Sequence, residues 1–134
     1  YKVKRVINIY YKNDGKNKYL IYGIENRIEQ IIANLLDNAI SFSDDNKDVI
    51  VQVSKSEDNK VYIKILDEGQ GFKEKDTNKI FKRFYSNRPD KFGQHSGLGL
   101  NIVKNLVDLH NATIKATNRE DKKGASMEIE FPKV

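Results

Sequence analysis

The chain has 134 residues, 38% of them hydrophobic and 32% charged, which is enough apolar material for one core and too short a chain for two. No apolar run approaches the roughly 18 residues that a membrane span requires, and with no cysteine in the sequence disulfide staples, thiolate zinc sites and cysteine nucleophiles are excluded. The net charge of +5 suits phosphate-bearing partners yet is ordinary for a soluble domain. His95 and His110 alone make no metal cluster, which leaves a hard cation on oxygen ligands as the metal the sequence allows. Tyr1-Lys2-Val3-Lys4 carries neither an initiator Met nor a signal-type apolar run and reads as the start of a piece of a longer chain.

Val3–Tyr11, rich in Val, Ile and Tyr, predicts a strand; Asn13-Asp14-Gly15-Lys16 predicts a turn and Lys18–Tyr22 a return strand, so residues 1–22 are expected to form an N-terminal hairpin. Glu25–Phe42 places Ile28, Ile31, Ile32, Leu35, Leu36 and Ala39 at helical spacing, and Ser43-Asp44-Asp45-Asn46 ends that helix. Val49–Ser54 and Val61–Leu66 read as a β-hairpin around Glu57-Asp58-Asn59, and Asn78–Tyr85 as a short amphipathic helix. The polar loop Ser86–Ser96 is long for so small a domain and reads as a functional lid. A second long helix follows over Leu98–His110, and Ala112–Asn118 with Ala125–Phe131 close the chain as a hairpin around Asp121-Lys122-Lys123-Gly124.

Three stretches carry chemistry. On the first helix Arg27, Gln30, Asn34, Asn38 and Ser41 fall in an arc of about 80°. Asn34 and Asn38 thus point the same way one turn apart, where their amides can ligate Mg²⁺ or donate to phosphate oxygens, the alternative being a solvated polar face. Asp67-Glu68-Gly69-Gln70-Gly71-Phe72 puts a carboxylate at the end of a strand, before two glycines that let backbone approach a ligand. Such a carboxylate suits an amine such as that of adenine; a solubilising turn is the alternative. Gly93-Gln94-His95-Ser96-Gly97-Leu98-Gly99-Leu100 opens a helix with exposed backbone N–H groups, an anion site or else a tightly packed helix start. It is not a Walker A loop, since no Gly-Lys-Ser/Thr follows.

In their order, Asn34-Leu35-Leu36-Asp37-Asn38-Ala39, Asp67-x-Gly69-x-Gly71, Ile80-Phe81-x-x-Phe84-Tyr85, Gly97-Leu98-Gly99-Leu100 and Gly124 ahead of Phe131-Pro132 resemble the N, G1, F, G2 and G3 boxes of the sensor histidine kinase catalytic domain. The resemblance runs from about Glu25 to the C-terminus. It implies the α/β two-layer sandwich of the gyrase, heat-shock-protein-90, histidine-kinase and MutL superfamily, the Bergerat-type ATP-binding fold: a mixed, mostly antiparallel sheet packed against about three helices, with residues 1–134 as one domain. It further implies ATP and Mg²⁺ as ligands, Asn38 on the metal, and Asn34 on the phosphates or the metal shell. Asp67 falls to the adenine amino group, Gly69 and Gly71 to the base pocket, and Ser96, Gly97, Leu98, Gly99 and Leu100 to the phosphates through backbone N–H groups. Phe81 and Phe84 would anchor the base of the lid, residues 86–96, from which Arg88 and Lys91 reach the γ-phosphate, Arg88 with the better fork for phosphate oxygens.

Two positions depart from the family pattern. Ser41 stands where a phosphate-contacting Lys or Arg is frequent, and His95 where many members have a further Gly, with Gly93 the substitute source of flexibility. His110 reads as a helix C-terminal histidine meeting the dipole, and the phospho-accepting histidine of the family lies on a dimerising helical hairpin outside this chain. The expected partners are therefore ATP, that dimerisation domain and a response regulator, with no nucleic acid or membrane contact by this piece. The expected location is the cytoplasmic side of a membrane-held parent. A hydrolysing switch of the gyrase or chaperone kind would need a Glu at Asn34 to activate water. Of the non-catalytic alternatives, the intact Asp67 and its glycines argue against a nucleotide-sensing relic of the kinase, and no aromatic-basic signature argues for a basic nucleic-acid binder.

Overall fold

The computed structural model describes residues 8–12, 19–44, 46–72, 80–81 and 99–134. Alternate residues of its strands turn to one side, and on that side they are apolar and buried: Val61 and Ile65 in one strand, Ala125, Met127, Ile129 and Phe131 in another. A sheet with one apolar face must cover it, and two helices do.

The elements are β1 (Asn8–Lys12), α1 (Glu25–Phe42), β2 (Asp48–Lys55), β3 (Val61–Leu66), α2 (Gly99–Leu109), β4 (Thr113–Asn118) and β5 (Ala125–Phe131). They form one five-stranded sheet in the order β1-β2-β3-β5-β4, beneath a layer in which α1 packs beside α2. The core joins Ile31, Leu35 and Ala39 of α1 with Val103 and Val107 of α2 and the inward residues of β3 and β5. Cross-strand pairs such as Ile63–Ile129 and Val61–Phe131 set the β3–β5 register; slipping it by one residue would turn the apolar row outward. The outer face is polar, with Lys64 3.7 Å from Glu128, Lys60 3.8 Å from Glu130, and the Tyr62 hydroxyl donating to Glu130 at 2.8 Å.

α1 covers the predicted residues, and β3 and β5 run as expected. The expected hairpin over residues 1–22 does not hold for its described part. Residues 19–24 carry no strand, and β1 pairs in parallel with β2, Asn8 opposite Asp48 and Lys12 opposite Gln52. The Asn-Asp-Gly turn signal is local, whereas a parallel partner is reached only through a long crossover, here by way of α1. Of the predicted helix over Asn78–Tyr85, Ile80 and Phe81 form a buried helical turn in the core; the rest lies outside the described residues.

The helix ends show where non-local bonds take over. Ile24 precedes α1 with no capping side chain, and its N–H instead donates to His110 Nε2 at 3.1 Å. His110 Nδ1 bonds the Leu106 carbonyl at 2.7 Å, so with Nδ1 as the donor the ring ties the last turn of α2 to the start of α1. Asn111 then takes a left-handed conformation (φ 55°), and the Ala112 N–H returns to the Val107 carbonyl at 3.1 Å, which satisfies the helix end.

Candidate functional site

The row of inward residues Val61, Ile63 and Ile65 continues to Asp67, because the β3–β5 pairing runs one residue past the strand: the Asp67 N–H donates to the Ala125 carbonyl at 3.0 Å. A carboxylate thus ends an apolar row, 3% exposed. Its Oδ1 accepts two backbone N–H groups, from Gly69 at 2.9 Å and Ala125 at 3.0 Å. Those bonds supply the compensation a buried carboxylate needs and fix the plane of the group.

The glycines divide by what surrounds them. Gly71 has φ +76°, and a β-carbon there would come within 2.5 Å of Asn118 Oδ1; Gly124 has φ +146°, and a β-carbon there would collide with the Asp67 carbonyl. Both are dictated by the fold. Gly99, at the start of α2, has nothing within 4 Å of the corresponding position among the described residues. Tight packing against the described residues does not explain Gly99, and backbone open on that side suits a ligand approaching the N-terminus of α2.

Three residues that sequence reasoning did not single out, Asn118, Arg119 and Glu68, hold the loop that follows Asp67, and a fourth, Asn101, ties α2 to Phe81. Asn118 accepts the Phe72 N–H at 2.6 Å and donates to the Phe72 carbonyl at 3.1 Å. Arg119, whose side chain is 4% exposed, donates from Nη1 to the Asp67 carbonyl at 3.1 Å and makes a fork with Asp121. Glu68 accepts the Asp48 N–H at 2.8 Å and pairs with Lys122 at 3.4 Å. Asn101 of α2 donates to the Phe81 carbonyl at 3.2 Å. The Asp48 N–H, followed by Lys122 and Lys47, holds the Glu68 carboxyl below the usual carboxylate range, and the Arg119 fork does the same for Asp121. The local signal these residues carry is that of ordinary turn and surface positions.

Asn34 and Asn38 lie one turn apart on α1, Asn34 half-buried and Asn38 8% exposed. Among the described residues the Asn38 side-chain amide has no hydrogen-bond partner. A buried amide without a partner is unfavourable, and its oxygen suits a hard cation. No group of three or more His, Cys, Asp or Glu side chains among the described residues could hold a metal, so a cation here would rest on amide oxygen and on oxygens from a ligand. Arg88, Lys91, Ser96, Gly97 and Leu98, together with Phe84 and His95, lie outside the described residues; Leu100 is half-buried in the first turn of α2.

A buried, backbone-fixed carboxylate beside a glycine loop, a helix opening on a glycine that no described residue crowds, and a sheet covered by two helices define an ATP-binding domain of the gyrase and histidine-kinase type. Residues 23–134 match the family of histidine kinase-, DNA gyrase B- and HSP90-like ATPases, and the chain belongs to that family. Within it the chain is the ATP-binding catalytic domain of the sensor histidine kinases. It is 37% identical to the sensor protein ChvG of Agrobacterium fabrum over 116 residues, 84% of this chain and 19% of that protein; it thus spans about a fifth of that relative's length. The catalytic domain of histidine kinase ThkA superposes with a TM-score of 0.78 at 27% identity, covering 95% of this chain and 79% of that one, and ThkA is also known in complex with the response regulator protein TrrA. Full-length ShkA in complex with AMPPNP matches 94% of this chain with a TM-score of 0.78 at 25% identity, over 25% of its own length.

Proposed function

We propose that this chain binds ATP and Mg²⁺ and delivers the γ-phosphate to a histidine imidazole on the dimerisation domain of the same kinase, from which a response regulator takes it. The observation that carries the reading is the Asp67 carboxylate, buried at the end of β3 and fixed by two backbone N–H groups. A carboxylate only accepts, so it selects a base that offers an amino group, as adenine does. Gly69 and Gly71 shape the loop against which the base lies, and Gly99 and Leu100, with Ser96, Gly97 and Leu98 before them, meet the phosphates at the N-terminus of α2.

Asn38 and Asn34 hold the metal and its shell, and bound Mg²⁺ neutralises charge developing on the phosphates. Ser86–Ser96 is assigned the part of the lid from sequence, with Arg88 and Lys91 as the cations for the γ-phosphate. Asn34 also favours transfer over hydrolysis: an amide cannot take the proton of an attacking water, so the imidazole of the partner domain is the acceptor. The similarity to ThkA, which is known with a response regulator, supports the choice of partner. No helix among the described residues is long and apolar enough to cross a membrane, which suits a catalytic domain carried by a membrane-held parent.

Calorimetric titration with AMPPNP, with and without Mg²⁺, tests the reading. Saturable binding is expected, weaker by roughly tenfold or more in Asp67→Asn, which keeps an oxygen for the two backbone N–H groups and so keeps the fold. Asn38→Ala is expected to bind less tightly only when Mg²⁺ is present. A folded wild type that binds no AMPPNP would overturn the reading, and transfer of labelled phosphate from ATP to an added dimerisation domain would establish the acceptor.

A further inference from the structure

Two consecutive residues at the exit of β4 grip both ends of the loop that carries Asp67, Gly69 and Gly71. Asn118 holds the far end: its amide makes two bonds to one residue, accepting the Phe72 N–H at 2.6 Å and donating to the Phe72 carbonyl at 3.1 Å. This pairing imitates a strand neighbour where no strand exists and leaves neither backbone group of Phe72 wanting. Its Oδ1 also stands where a β-carbon on Gly71 would come within 2.5 Å, so side chain and glycine fit only each other.

Arg119 holds the near end. Its Nη1 donates to the Asp67 carbonyl at 3.1 Å, while Nε and Nη2 are occupied by Asp121 at 3.0 and 2.8 Å. A guanidinium locked by a fork cannot swing away from the carbonyl it supports. The Arg119 N–H meanwhile donates to the Gly124 carbonyl at 2.9 Å, which closes the hairpin turn that brings the Ala125 N–H to Asp67 Oδ1.

We infer that Asn118 and Arg119 are positioning residues for the base side of the nucleotide site, a two-point clamp that sets where the Asp67 carboxylate meets the base. The inference rests on the ATP-binding reading above. A carboxylate selects adenine over guanine only from the right place, because guanine presents an oxygen where adenine presents its amino group. A loosened loop therefore loses discrimination as well as affinity. A residue that merely stabilised the hairpin would lower the melting temperature and leave the preference between bases unchanged.

The test is calorimetric titration of the chain with ADP and with GDP, alongside thermal melts, for wild type, Asn118→Ala and Arg119→Lys. In folded Asn118→Ala the ADP affinity is expected to fall about tenfold, with a smaller change for GDP, so that the ratio between them shrinks. Arg119→Lys, which keeps the charge and loses the fork, is expected to shift the ratio in the same direction. If Asn118→Ala does not fold, Asn118→Asp keeps the acceptor for the Phe72 N–H, turns the donor to the Phe72 carbonyl into a charged acceptor, and carries the test with the same outcomes. An ADP-to-GDP ratio at the wild-type value in folded variants would overturn the inference and leave the ATP-binding reading standing. A wild type that binds neither nucleotide would overturn both.

Discussion

The backbone carbonyl of Asp67 occupies the space in which a β-carbon on Gly124 would stand, its carbonyl carbon 2.9 Å from that position. The turn before β5 is thus pressed onto the residue that closes β3, with no room for a side chain between them. Gly124→Ala would add this clash to a φ of +146° that an L-residue avoids. The backbone penalty alone exceeds about 1 kcal/mol, and relief of the clash would pull the Ala125 N–H from Asp67 Oδ1. Urea denaturation should show loss of most of the stability, or no folded protein.

Gly99 makes the opposite prediction. A β-carbon there meets open space among the described residues, and alanine suits a helix better by up to about 1 kcal/mol. Gly99→Ala should therefore hold or raise the melting temperature while lowering AMPPNP affinity, because in the proposed site the methyl group would stand where phosphate approaches the backbone. Equal affinity in a folded variant would remove Gly99 from the site.

Acid should weaken the link between Glu68 and Asp48. The Glu68 carboxyl lies below its ordinary value in the folded chain, chiefly through the Asp48 N–H. Its contribution to stability is therefore fully present above the unfolded value, near 4.5, and is lost as pH falls through the lower folded value. Glu68→Gln should be less stable than wild type at neutral pH, and the gap should narrow below about pH 4 in denaturation curves.

His110 replaces the missing cap of α1. Substituting alanine would strip the Ile24 N–H of its ring partner, whereas the Leu106 carbonyl, which also accepts the backbone N–H of residue 110 at 3.3 Å, keeps one bond. The expected loss is about 1–3 kcal/mol for the one group left unsatisfied. The melting temperature should drop, and hydrogen exchange should speed first at the amides of residues 24–28. Unchanged exchange there would show that water replaces the ring.

How far the sequence discloses all this depends on the reach of each bond. The apolar spacing along α1 and the alternation of β3 and β5 are local, and they mark those elements with their bounds. Asp67 and its glycines announce themselves for the same reason: strand end, carboxylate and loop are contiguous. Asn118 and Phe72 lie 46 residues apart, Arg119 and Asp67 52, and Ile24 and His110 86. No pattern within either segment foretells the other. The edge strand is misread for a related reason, since Asn13-Asp14-Gly15 advertises a hairpin whereas the partner of β1 comes after an entire helix.

The open face of the sheet sets how the molecule can meet others. Lys60, Lys64, Glu128 and Glu130 lie in the water film there, each more than a quarter exposed and paired at 3.7 or 3.8 Å. Such pairs contribute little to stability, but a body pressed flat against them would have to strip the hydration of four charges and recover little in return. The layer stays wet on that side unless a partner brings charges of its own to replace that hydration.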